Sequence, residues 1–455
     1  MRGPDEKRMR SARPWLVLVI VGAVIGIVFA GISSYDFVQH LDRQVHSLHC
    51  SFIPGGTHAG TDSGCQAAMM SSYSSVFRTK LWGGLPISLP AMSVFAFLLF
   101  YAVDLLVTRR KDDRRATGFL ALATALPALA SAIMLTISLT KLGTVCKLCV
   151  CIYTASALCA IGAIVLWRRA VALGGVVMLR AKPRKRPEGS DPAWTSSAAE
   201  PESVSEPVRA ASAPAASMGF LGAMFAVGCV FVAVPVILYF AMAPDHSHFV
   251  GTCEALPKPD DTYGIMVPLG THAASAAPAI EILDPLCPAC KAFEERLDKA
   301  GMAEDLDRKA VLFPLDNTCN WMVTEATHPG SCTVSEAILC AQQKGRAADV
   351  IAWAFDVQDR VRAEAKTDPT AAARLVKERF PELATCVGSP EAKARLNKSM
   401  RWVVANNIRV LTPQLYIDKV KLCDEDVDLG LEYTLSVMLD RHAHHTLVPA
   451  TAEHP

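Results

Sequence analysis

Five stretches of this 455-residue chain are long and apolar enough to cross a bilayer, a passage that takes about 20 residues. They run over roughly 15–34, 84–107, 117–138, 145–167 and 219–243. Inside hydrocarbon a backbone must satisfy its own hydrogen bonds, so each stretch is expected to be a helix. The first has the basic leader and apolar run of a secretion signal, but its length and the four later stretches make it a retained span. Lys and Arg in short loops set the orientation. The leader "MRGPDEKRMRSARP" carries five, "TRRKDDRRA" five and "RRAVALGGVVMLRAKPRKR" seven, whereas residues 35–80 carry three and the third connection only Lys141. The N-terminus is therefore expected inside, and everything beyond the fifth span outside.

The first four spans, with short connections and one long outer loop, predict a four-helix membrane bundle over 1–170. The composition then changes. Residues 181–217 hold six prolines, seven serines and nine alanines with no apolar periodicity, which predicts a disordered cytoplasmic linker over 171–217. A fifth transmembrane helix follows at 218–243, with Pro235 as a place for a kink. Residues 250–445 read as an α/β domain and 446–455 as a tail. "AIEIL" (279–283) and "AVLFPL" (310–315) have the pattern of buried strands, and 333–407 is mostly amphipathic helix. A net charge of +1 argues against a nucleic-acid partner.

"CPAC" at 287–290 follows a strand directly and opens a helix. There Cys287 meets unpaired N–H groups and the positive end of the macrodipole, which favour its thiolate, and Pro288 needs no N–H partner. Cys290, one turn in, is the resolving thiol. A structural zinc site would require two further Cys or His ligands, and no second C-x-x-C or H-x-x-x-H follows, so no metal is expected. The order of strand, C-P-x-C helix, helical insertion and late Thr-Pro makes residues 265–443 resemble a DsbA-like oxidoreductase of thioredoxin fold. The resemblance implies that Thr412-Pro413 is the cis-proline dipeptide beside the active sulfurs, and that Glu281 is a buried acid assisting proton transfer. A plain salt-bridging role for Glu281 stays open. Six further cysteines in this domain suggest structural disulfides. Cys319–Cys332 is the first pairing, a short loop whose closure is worth about 3 kcal/mol in the chain-entropy view. Cys340–Cys386 and Cys253–Cys423 would complete the set, although spacing alone does not fix connectivity.

"TVCKLCVCIYT" (144–154) places Cys146 and Cys149 one helical turn apart at the outer end of the fourth span. Haem attachment would need His at 150, where Val150 stands, and a metal site would have only Cys151 and Cys159 nearby. A dithiol that exchanges with an outer loop needs nothing more, and the loop supplies Cys50 and Cys65. Ser71 and Tyr73 lie six and eight residues past Cys65, "GLP" (84–86) opens the second span, and Tyr153 lies four past Cys149. On these motifs, residues 15–167 resemble the vitamin K epoxide reductase family in its bacterial form with a fused thioredoxin-like domain. The resemblance implies a relay from Cys287/Cys290 through Cys50/Cys65 to Cys146/Cys149. A quinone (ubiquinone or menaquinone) would then accept the electrons, its head-group lined by Ser71, Tyr73 and Tyr153.

The expected protein is thus multi-domain, an α-helical membrane bundle followed by an α/β thioredoxin-like domain with a helical insertion. Its expected activity is to form disulfides in reduced, unfolded secreted proteins. It would sit in a bacterial inner (cytoplasmic) membrane among lipids, N-terminus cytoplasmic and thioredoxin-like domain periplasmic. A reductase or isomerase running the other way, or a non-catalytic membrane-anchored chaperone, are the alternative readings.

Overall fold

The structure, a computed structural model, describes residues 12–44, 46, 48–49, 64–180 and 215–447. Cys50, the expected linker from 181 to 214 and the tail from 448 lie outside the described residues. The chain divides into two compact units: the described residues of Met1–Gln39, His46–Met69 and Ile87–Met242, and those of His40–Val45, Met70–Pro86 and Ala243–Pro455.

The first unit is helical: α1 (Arg13–Gln39), α2 (Gly64–Met69), α3 (Ser88–Val107), α4 (Arg114–Ile137), α5 (Lys147–Arg180) and α6 (Met218–Met242). Five of these are long and apolar enough to cross a membrane. α1 packs on α3 and α5, and its Leu16, Val19 and Ala23 join Phe95, Leu98, Ala155 and Cys159 in one core. Van der Waals packing of small residues, not hydrophobic burial, brings apolar helices together in lipid. Gly26 illustrates this, since a Cβ there would fall 2.4 Å from the Phe95 ring. The outer face of α4 exposes Leu122, Leu126 and Leu129. α6 buries none of its residues and meets α3 through Phe231, edge-on to Phe97 at 6.0 Å. A helix this apolar on every side has the length and composition of a membrane span.

α5 reaches Arg180, so residues 171–180 continue the helix where the sequence predicted linker. Val171, Leu173, Val176, Val177, Met178 and Leu179 are aliphatic side chains that a helix accepts, and prolines begin only at 183.

The second unit contains a hairpin, β1 (Ser75–Val76) with β2 (Leu85–Pro86), and a five-stranded mixed sheet in the order β3-β5-β4-β6-β7. Its strands are β3 (Val267–Leu269), β4 (Ala277–Leu283), β5 (Leu306–Leu312), β6 (Gln414–Ile417) and β7 (Val420–Lys421). β4 pairs parallel with β5 and antiparallel with β6. α7 (Pro288–Ala300) connects β4 towards β5, and the insertion α8 (Ser331–Gln342), α9 (Ala347–Thr367), α10 (Ala371–Arg379) and α11 (Pro390–Ala405) precedes β6. α12 (Leu431–Leu447) closes the unit and takes in His442, His444 and the first two positions of the expected tail. This is the thioredoxin fold with a helical insertion, the architecture the sequence predicted. Its core runs from Ile282 and Leu283 through Val311 and Phe313 to Val334, Ile338, Met400 and Val403.

Candidate functional site: two dithiols at helix N-termini

Both C-x-x-C pairs are built the same way. Cys287 is the N-cap of α7 with extended φ −80°, ψ 121°, and Cys290 follows at the third helical position. Cys146 immediately precedes α5, its carbonyl accepts from the Val150 N–H at 3.1 Å, and the Cys149 N–H donates to Cys146 Sγ at 3.4 Å. In each pair the first sulfur occupies the place where a cap side chain accepts orphan N–H groups. Local sequence brings the chain to that geometry. Before α7, Pro285 breaks β4 and the Cys287 N–H turns back onto the Asp284 carbonyl at 3.1 Å. Before α5, a π-turn over Ser138–Leu142 ends on Gly143 at φ 63°, and the Ser138 hydroxyl donates to the Thr144 carbonyl at 2.5 Å.

In the thioredoxin-fold unit, Cys287 Sγ lies 3.6 Å from the carbonyl oxygen of Thr412, and Thr412-Pro413 is cis. The Cys287 thiol is lowered to about 6, chiefly by its hydrogen bond from the Cys290 thiol. Burial works against this, while the Cys290 N–H and the charge of His328 add to it. Cys290 is pushed well up by complete burial. One sulfur is thus prepared to be a thiolate and the other to hold its proton.

Glu281 is fully buried and bonded to Arg308 Nη1 at 3.1 Å, with Glu294 on the same nitrogen. Burial, then Glu294, raises Glu281 well above the carboxylate range. The acid whose charge and backbone act on Cys290 is Asp284. Asp284 is fully buried and accepts the Leu286 N–H at 2.9 Å, the Leu315 N–H at 2.8 Å, the Ser331 hydroxyl, and His328 Nδ1 at 2.7 Å. Burial alone would lower His328, but the hydrogen bond and charge of Asp284 outweigh it and raise it. Sequence reasoning missed both residues: Asp284 stands between strand and C-x-x-C with nothing local to mark it, and His328 lies inside the short loop whose cysteines carried the signal. That loop is closed by Cys319–Cys332. Cys340–Cys386 and Cys253–Cys423 are also bonded, the same three pairs set out from the sequence.

The Arg308 triad yields a stability test. Replacing Arg308 with Met leaves Glu281 and Glu294 facing each other without a cation, and removing one partner of a buried pair costs about 3–5 kcal/mol. Urea unfolding is expected to show a loss of up to that order at neutral pH, relieved in part because Glu281, already raised by burial and Glu294, can hold a proton. Less of it should appear at a pH low enough to protonate both acids.

In the helical unit, Cys65 is in a disulfide and lies on α2, with its Sγ 3.3 Å from Cys146 Sγ. Cys146 and Cys149 are free thiols, and Tyr153 hydrogen-bonds Cys149. Phe29, Ile32, Leu48, Ala68 and Leu148 surround these sulfurs. Asp36, in the last turns of α1, accepts the His49 N–H at 2.9 Å and faces His49 Nδ1 at 2.6 Å. That pair was also missed, although an acid at the end of an otherwise apolar span is itself a signal. Ser71 and Tyr73 fall in the Met70–Pro86 segment of the other unit, where the Ser71 carbonyl accepts from Arg78 at 2.6 Å.

Comparison with known proteins gives two kinds of likeness. Residues 17–164 match the model of the vitamin K epoxide reductase family. Among solved structures, the oxidoreductase DsbA1 from N. meningitidis is 15% identical, spans 40% of this chain and 93% of its own, with a TM-score of 0.28. DsbA from Xylella fastidiosa is 17% identical over 38% of this chain and 89% of its own, TM-score 0.29. The DsbA disulfide interchange protein from Klebsiella pneumoniae is 17% identical over 41% and 97%, TM-score 0.26. No curated protein matches.

Proposed function

We propose that the chain, whose residues 17–164 match the vitamin K epoxide reductase family model, is a quinone-coupled membrane thiol–disulfide oxidoreductase that forms disulfides in secreted proteins. The observation that carries this reading is the 3.3 Å approach of Cys65 Sγ, itself in a disulfide, to the free thiol of Cys146. Thiol–disulfide exchange needs a sulfur within reach of another disulfide's sulfur, and proceeds through a mixed disulfide.

The steps balance as follows. A substrate dithiol reduces the Cys287–Cys290 disulfide and leaves as a disulfide. The Cys287/Cys290 dithiol then reduces the Cys50–Cys65 pair. Cys65, as a thiolate, attacks Cys146 of the Cys146–Cys149 disulfide, Cys149 leaves, and Cys50 resolves the Cys65–Cys146 bond. Each exchange moves two electrons and two protons. Oxidised Cys65 beside free Cys146 and Cys149 is the arrangement this last exchange leaves behind. Quinone, as the acceptor substrate, takes two electrons and two protons to become quinol while Cys146–Cys149 reforms. The apolar residues around Cys149 suit a quinone ring, and Tyr153 would supply its hydrogen bond. We assign the chain to a bacterial inner membrane with its N-terminus cytoplasmic and its thioredoxin-fold domain periplasmic, on the alternation of basic loops.

The test is quinone reduction by the purified full chain supplied with a reduced, unfolded secreted protein. Quinol and substrate disulfide are expected in equal amounts, and neither from Cys149→Ala or Cys287→Ala. Substrate oxidation with quinone left unreduced would instead favour a reductase or isomerase.

A further inference from the structure

A heavily engaged carboxylate outside the dithiol sites is Asp426, which is 1% exposed. Arg43 grips it from both sides, Nε to Oδ1 and Nη2 to Oδ2, each at 3.1 Å. Trp82 Nε1 donates to the same Oδ1 at 2.7 Å. Arg43 and Asp426 are 383 residues apart in sequence, and Trp82 is 344 from Asp426. Around this centre the three segments interlock further. Arg43 lies over the Phe249 ring at 4.4 Å, and His246 Nε2 meets the Leu41 carbonyl at 2.8 Å. Buried Arg78 faces Glu432 at 3.7 Å. Trp82 lies so close over Gly430 that a Cβ there would come within 2.2 Å of its indole nitrogen.

A planar guanidinium held at two points and an indole N–H on one buried carboxylate leave little freedom. The partners are also chosen by position. Residues 40–45 continue from α1, residues 70–86 lead into α3, and in sequence the two segments bracket the stretch that bears Cys50 and Cys65. Both are built into the unit that carries Cys287 and Cys290.

We propose that Asp426 is a positioning residue for thiol exchange, clamping Arg43 and Trp82 so that the two ends of the shuttle-cysteine segment are fixed to the thioredoxin-fold domain. The proposal rests on the relay described above but concerns one step of it, electron transfer from Cys287/Cys290 to Cys50/Cys65. Chemistry within each dithiol pair does not involve the clamp. A fixed geometry turns an encounter into an intramolecular step, and a displacement of about 1 Å can cost on the order of a hundredfold.

The experiment uses the full chain with Asp426→Asn, Arg43→Ala, Arg43→Lys and Gly430→Ala, the last inserting a Cβ beneath Trp82. Three rates are read: single-turnover oxidation of a reduced peptide by Cys287–Cys290, quinone reduction driven by dithiothreitol, and coupled quinone reduction driven by the peptide. Coupled turnover is expected to fall about tenfold to a hundredfold in Asp426→Asn, Arg43→Ala and Gly430→Ala, with partial recovery in Arg43→Lys. The two separate rates should stay within about twofold of wild type. Unchanged coupled turnover in folded variants overturns the clamp, and so does an equal fall in all three rates, which would make the cluster structural support only. Absence of dithiothreitol-driven quinone reduction in the wild-type chain would defeat the quinone reading instead. In that case peptide-driven reduction of Cys65, followed by thiol alkylation, tests the clamp by itself.

Discussion

Replacing Cys149 with serine is expected to accumulate a disulfide between Cys65 and Cys146 and to lower coupled quinone reduction by at least about a thousandfold, as loss of a covalent reactant does. The 3.3 Å sulfur–sulfur approach places these two atoms at the start of exchange. In the mutant the Cys146 thiolate can attack Cys65 of the Cys50–Cys65 disulfide, with Cys50 leaving as a thiol. In the wild type the mixed disulfide has two exits, attack by Cys50 on Cys65 in the forward direction and attack by Cys149 on Cys146 in reverse. Serine closes the second exit and bars Cys146 from its own pair, so the bond to Cys65 is the one disulfide of the relay that Cys146 can hold, and it accumulates. Peptide mapping without reductant should recover the segment bearing Cys65 joined to that bearing Cys146, and the same joined product should be absent from Cys146→Ser. If Cys149→Ser instead joins Cys65 to no membrane cysteine, the two sulfurs do not exchange.

The second large effect concerns pH. With the Cys287 thiol at about 6 against an ordinary value of 9.0, its alkylation in the reduced protein should have a midpoint near pH 6. The shift is a depression, so its contribution to the stability of the reduced form is complete above the unfolded thiol's own range. It is lost as pH falls through the folded value. By linkage the contribution is about 1.4 kcal/mol at pH 7, approaches about 4 kcal/mol above pH 9, and vanishes below pH 5. Stabilising the reduced state makes the disulfide a stronger oxidant, so the reduction potential of this pair should become more positive, relative to an ordinary dithiol couple, between pH 6 and 9. The causes also rank the variants. Cys290→Ala, which removes the principal hydrogen bond, should raise the midpoint most, and His328→Gln should raise it less. A larger rise from His328→Gln than from Cys290→Ala would mean that the imidazolium, not the neighbouring thiol, holds the thiolate.

Much of this molecule was legible because its signals are local. Uninterrupted apolar runs mark α1, α3, α4 and α6 whatever they pack against, and a C-x-x-C placed after a strand break identifies its own helix cap. The Thr-Pro before β6 was legible for the same reason. What stayed hidden depends on contacts between distant parts of the chain. Nothing near Arg43 or Trp82 hints at Asp426, since the three residues are brought together only by folding. Nothing near His328 hints at Asp284 across 44 residues. The extent of α5 was misjudged for another reason. Charge and proline content from 181 onward coloured a stretch of aliphatic residues that helix propensity alone would have extended.

The shared design of the two dithiols has a consequence for fidelity. In each pair the first sulfur stands at a helix cap and the second lies at the third helical position, Cys290 wholly enclosed and Cys149 partly so. A stray small thiol that captures the cap sulfur therefore forms an adduct whose neighbour is a second thiol tethered within the same turn. At the high effective molarity of such a tether, on the order of 10⁵ M in well-oriented cases, the inner thiol expels the intruder before another molecule can. Under the proposed relay both centres are expected to be self-clearing, a wrong partner delaying the protein briefly and leaving it chemically unmarked.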